Sequence, residues 1–117
     1  MGLLQFPLDR LDAMPFEAGA PDPQKLISGS PVFRTWTFEA RDDETLFAGV
    51  WESSPGKWRI AYDEWEFCSL LSGISVVCTD QGDARKLVAG DSFVIRPGFK
   101  GTWEVLETTR KLFVVKI

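Results

Sequence analysis

The stretch Glu64-Trp65-Glu66-Phe67-Cys68-Ser69-Leu70-Leu71-Ser72-Gly73-Ile74-Ser75-Val76-Val77-Cys78-Thr79 decides how the chain is read. Aromatic and β-branched residues crowd it and no 3.6-residue apolar period runs through it, so it reads as strand. Ser72-Gly73 falls where a two-residue loop would turn one strand, residues 64–71, back on another, residues 74–79. Alternation in the first strand sets Glu66, Cys68 and Leu70 on one face and Trp65, Phe67, Ser69 and Leu71 on the other. Such a hairpin sets Cys68 across from Val77 and Cys78 across from Phe67, on opposite sides. No disulfide is then expected, and the two cysteines read as small buried hydrophobes.

Working outward, the same grammar repeats. Arg41-Asp42-Asp43-Glu44, Ser53-Ser54-Pro55-Gly56, Asp80-Gln81-Gly82-Asp83, Ala89-Gly90-Asp91 and Pro97-Gly98 are turn signals. They separate strand-like runs at residues 32–39, 45–51, 57–62, 84–88, 92–95, 102–107 and 110–117. About nine short strands at 8–12-residue spacing make an all-β sandwich or barrel. Some runs, such as Leu112-Phe113-Val114-Val115, are apolar on both faces. One face is expected to line the barrel and the other to meet an arm or a second subunit.

Residues 1–30 read differently. Gly19, Pro21, Pro23 and Gly29 break regular structure, while Leu3, Leu4, Phe6, Leu8, Leu11, Met14 and Phe16 supply apolar side chains that can dock. The expected division is an extended N-terminal arm with one helical turn over residues 1–30 and a barrel over residues 31–117. A disordered leader is the alternative.

Composition narrows the function. The 117 residues carry 13 basic and 17 acidic side chains, a formal charge of -4, which argues against nucleic-acid binding. No apolar run nears the ~20 residues that span a bilayer, and the N-terminus lacks a signal peptide's pattern. A cytoplasmic protein without a membrane partner is expected. Histidine is absent, which excludes Ser-His and Cys-His catalytic pairs and makes most catalytic zinc sites improbable. Two cysteines are too few for a zinc-thiolate cluster.

The order of glycines and prolines is more specific. Glu66 followed after six residues by Gly73 matches the end of the first cupin motif, G-x5-H-x-H-x3,4-E-x6-G. Gly90-Asp91 with Pro97-Gly98 resembles the second, G-x5-P-x-G-x2-H-x3-N. Together with Gly49-Val50-Trp51-Glu52, Pro55-Gly56-Lys57-Trp58 and Gly101-Thr102-Trp103-Glu104-Val105, these residues resemble the small single-domain cupins similar to the ureidoglycine aminohydrolase cupin domain. The resemblance covers about residues 31–117 and implies a double-stranded β-helix, or jelly-roll, barrel. Its metal-binding histidine places fall here on Ile60 and Tyr62 with the shorter spacer, or on Arg59 and Ala61 with the longer; strand alternation favours the first. The later histidine place falls on Gly101. In the aminohydrolase a glutamate, two histidines and a glutamine hold the metal, and Ile60, Tyr62 and Glu66 stand in three of those places. Neither the metal nor the aminohydrolase activity therefore carries over.

The resulting expectation is a barrel that holds a small-molecule ligand without metal or cofactor, lined by Trp58, Ile60, Tyr62, Glu66, Cys68 and Trp103, with Glu66 as the polar anchor. In one alternative, Glu66 and Tyr62 act as catalytic acid and base in a lyase, isomerase or amidohydrolase-like enzyme. In another, Glu66 only pairs with Arg59 or Arg96 at the rim. A third is a structural or regulatory homodimer formed through Trp65, Phe67, Leu71 and Val76. Glu104, Glu107, Arg110 and Lys111 read as a solvated charge cluster at a strand end.

Overall fold

Residues 2–117 are described by a computed structural model. Nine strands form: β1 (Glu17–Gly19), β2 (Leu26–Gly29), β3 (Phe33–Ala40), β4 (Leu46–Ser53), β5 (Gly56–Ala61), β6 (Trp65–Thr79), β7 (Ala84–Val88), β8 (Ser92–Ile95) and β9 (Lys100–Lys116). Their pairings are antiparallel. The architecture is an all-β barrel, organised by its two long strands. β6 and β9 pair with each other along nearly their whole lengths, from Trp65↔Lys116 to Thr79↔Gly101. Each then serves both walls. One wall runs β1-β3-β4-β9-β6-β8 and the other β2-β5-β9-β6-β7.

This corrects the hairpin expected at Ser72-Gly73. The chain does not reverse there; β6 continues through it, and the pairing with β9 slips between Leu70 and Ser75. Such bulges bend a strand and increase its twist, which folds one ribbon across both walls. Gly73 makes the bend possible. Its φ is +91°, and a Cβ there would overlap the Thr108 carbonyl and sit 2.6 Å from the Thr109 Cα. Glycine at a sharp bulge and glycine in a tight turn leave the same local signal, and only pairing with a distant strand separates them. Cys68 consequently lies opposite Phe113 and Phe93, and Cys78 opposite Thr102 and Ala84, rather than opposite Val77 and Phe67. Both thiols are free. The expected count of nine strands agrees with the observed nine, but not strand for strand: two expected pairs merge into β6 and β9, and β1 and β2 come from the arm.

A small polar network sits at the bend. The Trp103 indole N–H donates to Ser75 Oγ at 3.2 Å, Ser75 and Thr109 hydroxyls bond at 2.8 Å, and Thr109 donates to the Glu107 carbonyl at 2.9 Å. Ser75 and Thr109 are fully buried, so their pairing avoids the cost of leaving a desolvated hydroxyl unmet.

Two apolar clusters follow from strand alternation. The inner one joins Trp58, Leu70, Leu87, Ile95, Trp103 and Val105. The outer one joins Leu11, Trp36 and Val50, with Met14, Leu71 and Leu112 against them. Leu11 opens a single 3-10 turn, Leu11–Ala13, and Met14 follows it, so the N-terminal segment covers the outside of β3 and β4. Charge fixes the same junction. Glu52 accepts from Arg34 Nε at 2.6 Å and from Arg110 Nε at 2.7 Å, and Asp12 pairs with both guanidiniums. Both guanidiniums also lie over the Trp36 ring, at 5.0 and 5.3 Å from its centroid.

Candidate functional site

Lysine at position 111 follows the strand alternation, not the charge pattern. Arg34, Glu52 and Arg110 lie in one row across β3, β4 and β9 and face outward. The next row is Thr35, Trp51, Lys111 and Leu70, and it faces the barrel interior. Lys111, Phe113 and Val115 share this inner face of β9, opposite Glu66 and Cys68 on β6. The reading of Lys111 as part of a solvated cluster is therefore corrected: its side chain is only 7% exposed. Arg110 lies half-buried in the outer charge network, while Glu107 is exposed.

Inside, the Lys111 ammonium meets Glu66 Oε2 at 3.1 Å. Its Nζ also sits 4.8 Å from the Trp51 ring centroid and 4.7 Å from that of Trp103. One carboxylate oxygen and two indole faces thus replace the water that a free ammonium would hold. Burial opposes the charge on Lys111, yet the Glu66 carboxylate 3.1 Å away holds its pKa above the ordinary lysine value. It is an ammonium at neutral pH. The neighbouring acids stay neutral: burial, with Glu66 alongside, pushes the Tyr62 phenol above its usual range and the Cys68 thiol up to about 12.

Beside this pair lies a cavity of about 240 Å³ lined by Thr35, Trp51, Tyr62, Glu66, Lys111, Phe113 and Val115. Of the residues anticipated from sequence, Tyr62 and Glu66 line it directly. Trp103 stands behind it as one wall of the lysine slot, and Cys68 is fully buried next to it. Trp58 and Ile60 join Tyr62 around a second hollow of about 250 Å³, which also takes in Phe33 and Arg59. Glu66 is 5% exposed. Its partner is Lys111, while Arg59 and Arg96 lie exposed, so the rim pairing is corrected. Sequence reasoning missed Lys111, Thr35, Phe113 and Val115. The signal for Lys111 was its place two residues before Phe113 on one strand face, outweighed by its charged neighbours Glu107 and Arg110.

The sequence pattern of the EutQ-like cupin domain matches residues 40–113, well over half of the chain. The chain belongs to the EutQ-like cupin family. No curated protein sequence matches it. Among solved structures, this cupin resembles a Pseudomonas syringae pv. tomato protein of unknown function at 25% identity and a TM-score of 0.80, covering 88% of this chain and 45% of that one. The chain thus spans less than half the length of that relative. The Clostridium difficile EutQ protein shares the fold at 19% identity and a TM-score of 0.66, covering 84% of this chain and 79% of that one. The ectoine synthase of P. lautus shares it at 13% identity and 0.66, covering 81% and 70%.

The metal implied by the cupin motifs does not fit the residues in this cupin. Ile60 offers no donor, Tyr62 is held as a neutral phenol, and no side chain is possible at Gly101, where a Cβ would overlap the Cys78 carbonyl. The one carboxylate, Glu66, already faces the ammonium of Lys111, which would repel a divalent ion. Among the described residues, no three His, Cys, Asp or Glu side chains gather as a ligand set.

Proposed function

We propose that this cupin is a metal-free small-molecule-binding protein whose ligand sits in the cavity beside Glu66 and Lys111. The observation that carries the reading is the ion pair itself. Two opposite charges, each more than nine-tenths buried, line an open apolar hollow instead of being sealed from it. Replacing a buried pair by packed apolar residues is often neutral or stabilising, so stability alone gives little reason to keep one. A few fixed polar groups in an apolar wall are the usual makeup of a ligand site.

Binding is favoured over proton transfer. Lys111 is held protonated, burial keeps Tyr62 and Cys68 neutral, and the Glu66 carboxylate is engaged by Lys111 at 3.1 Å. The test is titration with amino acids, amides, ureides and sugars, followed through tryptophan fluorescence, because Trp51 lines the cavity and Trp103 flanks its lysine. A saturable change lost in Glu66→Gln is the expected result, and silence across the panel would refute binding. Metal analysis of untreated protein should find no stoichiometric transition ion.

A second reading concerns assembly. Trp65, Phe67 and Val94 are 37–40% exposed on the outer face of β6 and β8, where Phe67 and Val94 are register partners. We propose a homodimer through this patch, which the N-terminal segment leaves open. It predicts a dimer in sedimentation at micromolar concentration and a monomer for Phe67→Glu.

A further inference from the structure

The charge arrangement in the cup also limits which ligands it can take. A lone buried carboxylate would attract a cation, but here Lys111 cancels the charge of Glu66 at 3.1 Å. The Lys111 ammonium is in turn engaged by that carboxylate and lies 4.8 and 4.7 Å from the Trp51 and Trp103 ring centroids. A charged guest would lose its hydration and find no uncompensated partner, a cost that a neutral guest avoids. Lining the cavity are the Glu66–Lys111 pair, Thr35, Tyr62 and the apolar side chains of Trp51, Phe113 and Val115.

We infer that the cup selects uncharged ligands that present an adjacent N–H donor and carbonyl acceptor, an amide-type edge, on a small apolar body. The N–H donates to Glu66, the carbonyl accepts from Thr35, and the apolar body lies against Phe113 and Val115. The inference rests on the ligand-binding reading above and narrows it to one chemical class.

The experiment compares three probes of one size and shape that differ only in charge: benzamide, benzamidinium and benzoate. Binding is followed by indole fluorescence, and its place by the resonances of Tyr62, the single tyrosine in the chain. Benzamide is expected to bind about tenfold or more tighter than either ion, with shifts at Tyr62. In Lys111→Met the freed carboxylate should reverse the order in favour of benzamidinium, and in Glu66→Gln the freed ammonium should favour benzoate. The wild-type comparison decides the matter even where a variant fails to fold. If an ion binds best while shifting Tyr62, the selectivity is overturned and ligand binding stands. If none of the three perturbs Tyr62 at the highest soluble concentration, both fall.

Discussion

Lys111→Met separates the buried pair from the surface cluster that the sequence suggests. Methionine keeps most of the stem's volume and removes the ammonium, leaving Glu66, 5% exposed, without its partner. Removing one member of a buried pair costs about 3–5 kcal/mol, because the other charge stays desolvated. Each desolvated indole contact contributes about 2 kcal/mol, but these contacts act on the same ammonium and do not add to that figure independently. A loss of about 3–5 kcal/mol lowers the thermal midpoint of a domain this size by about 10–20 °C. An exposed lysine in a strand-end cluster would cost under about 1 kcal/mol. Urea unfolding followed by far-ultraviolet circular dichroism measures the difference without relying on the tryptophans that the substitution disturbs. Adding Glu66→Gln to Lys111→Met should recover a large part of the loss, with a coupling above about 1 kcal/mol. A single variant that loses less than about 1 kcal/mol, or a double variant no more stable than the sum of its parts, would refute the buried-pair argument.

Gly73→Ala should cost at least about 2 kcal/mol or prevent folding, since the new Cβ meets Thr108 in a left-handed conformation; near-wild-type urea stability would disprove the bend. Asp12 and Glu52 both have lowered pKa values, Asp12 from its bond to Arg110 and Glu52 because Arg34 and Arg110 outweigh burial. Their contribution is therefore present above the ordinary carboxylate range and disappears as pH falls through the lower folded values. Glu52→Gln should flatten the acid limb of a stability–pH curve, and an unchanged limb would count against the network. Tyr62, raised by burial, favours the folded state below its ordinary pKa near 10 and opposes it as pH rises. Ultraviolet titration of this single tyrosine should show phenolate only together with alkaline unfolding; phenolate in folded protein at its ordinary pKa would contradict the site geometry. Leu11→Ala should lose about 2–5 kcal/mol by opening a cavity over Trp36 and Val50, and a loss below about 1 kcal/mol would mean that the N-terminal arm is not docked.

Local chemistry carried much of the fold into the sequence. Proline, glycine and acidic turns separated strand-like runs, and alternation on β6 put Glu66, Cys68 and Leu70 on the buried face where they are found. The ordered glycines around Glu66, Gly73, Gly90 and Gly98 pointed to a cupin, because backbone constraints repeat within a family at the same spacing. The absence of histidine takes the usual imidazole ligands out of the sequence.

The sequence by itself thus determined an all-β cupin with an acid inside and no imidazole. Tertiary structure alone decided that Ser72-Gly73 is a bend within one strand, that the arm's Leu11 covers Trp36, and that Lys111 answers Glu66 between two tryptophans. The reason is physical. Turn chemistry and strand alternation are set by neighbours along the chain, whereas a strand's partner, and the charge facing Glu66 from 45 residues away, are set by long-range register.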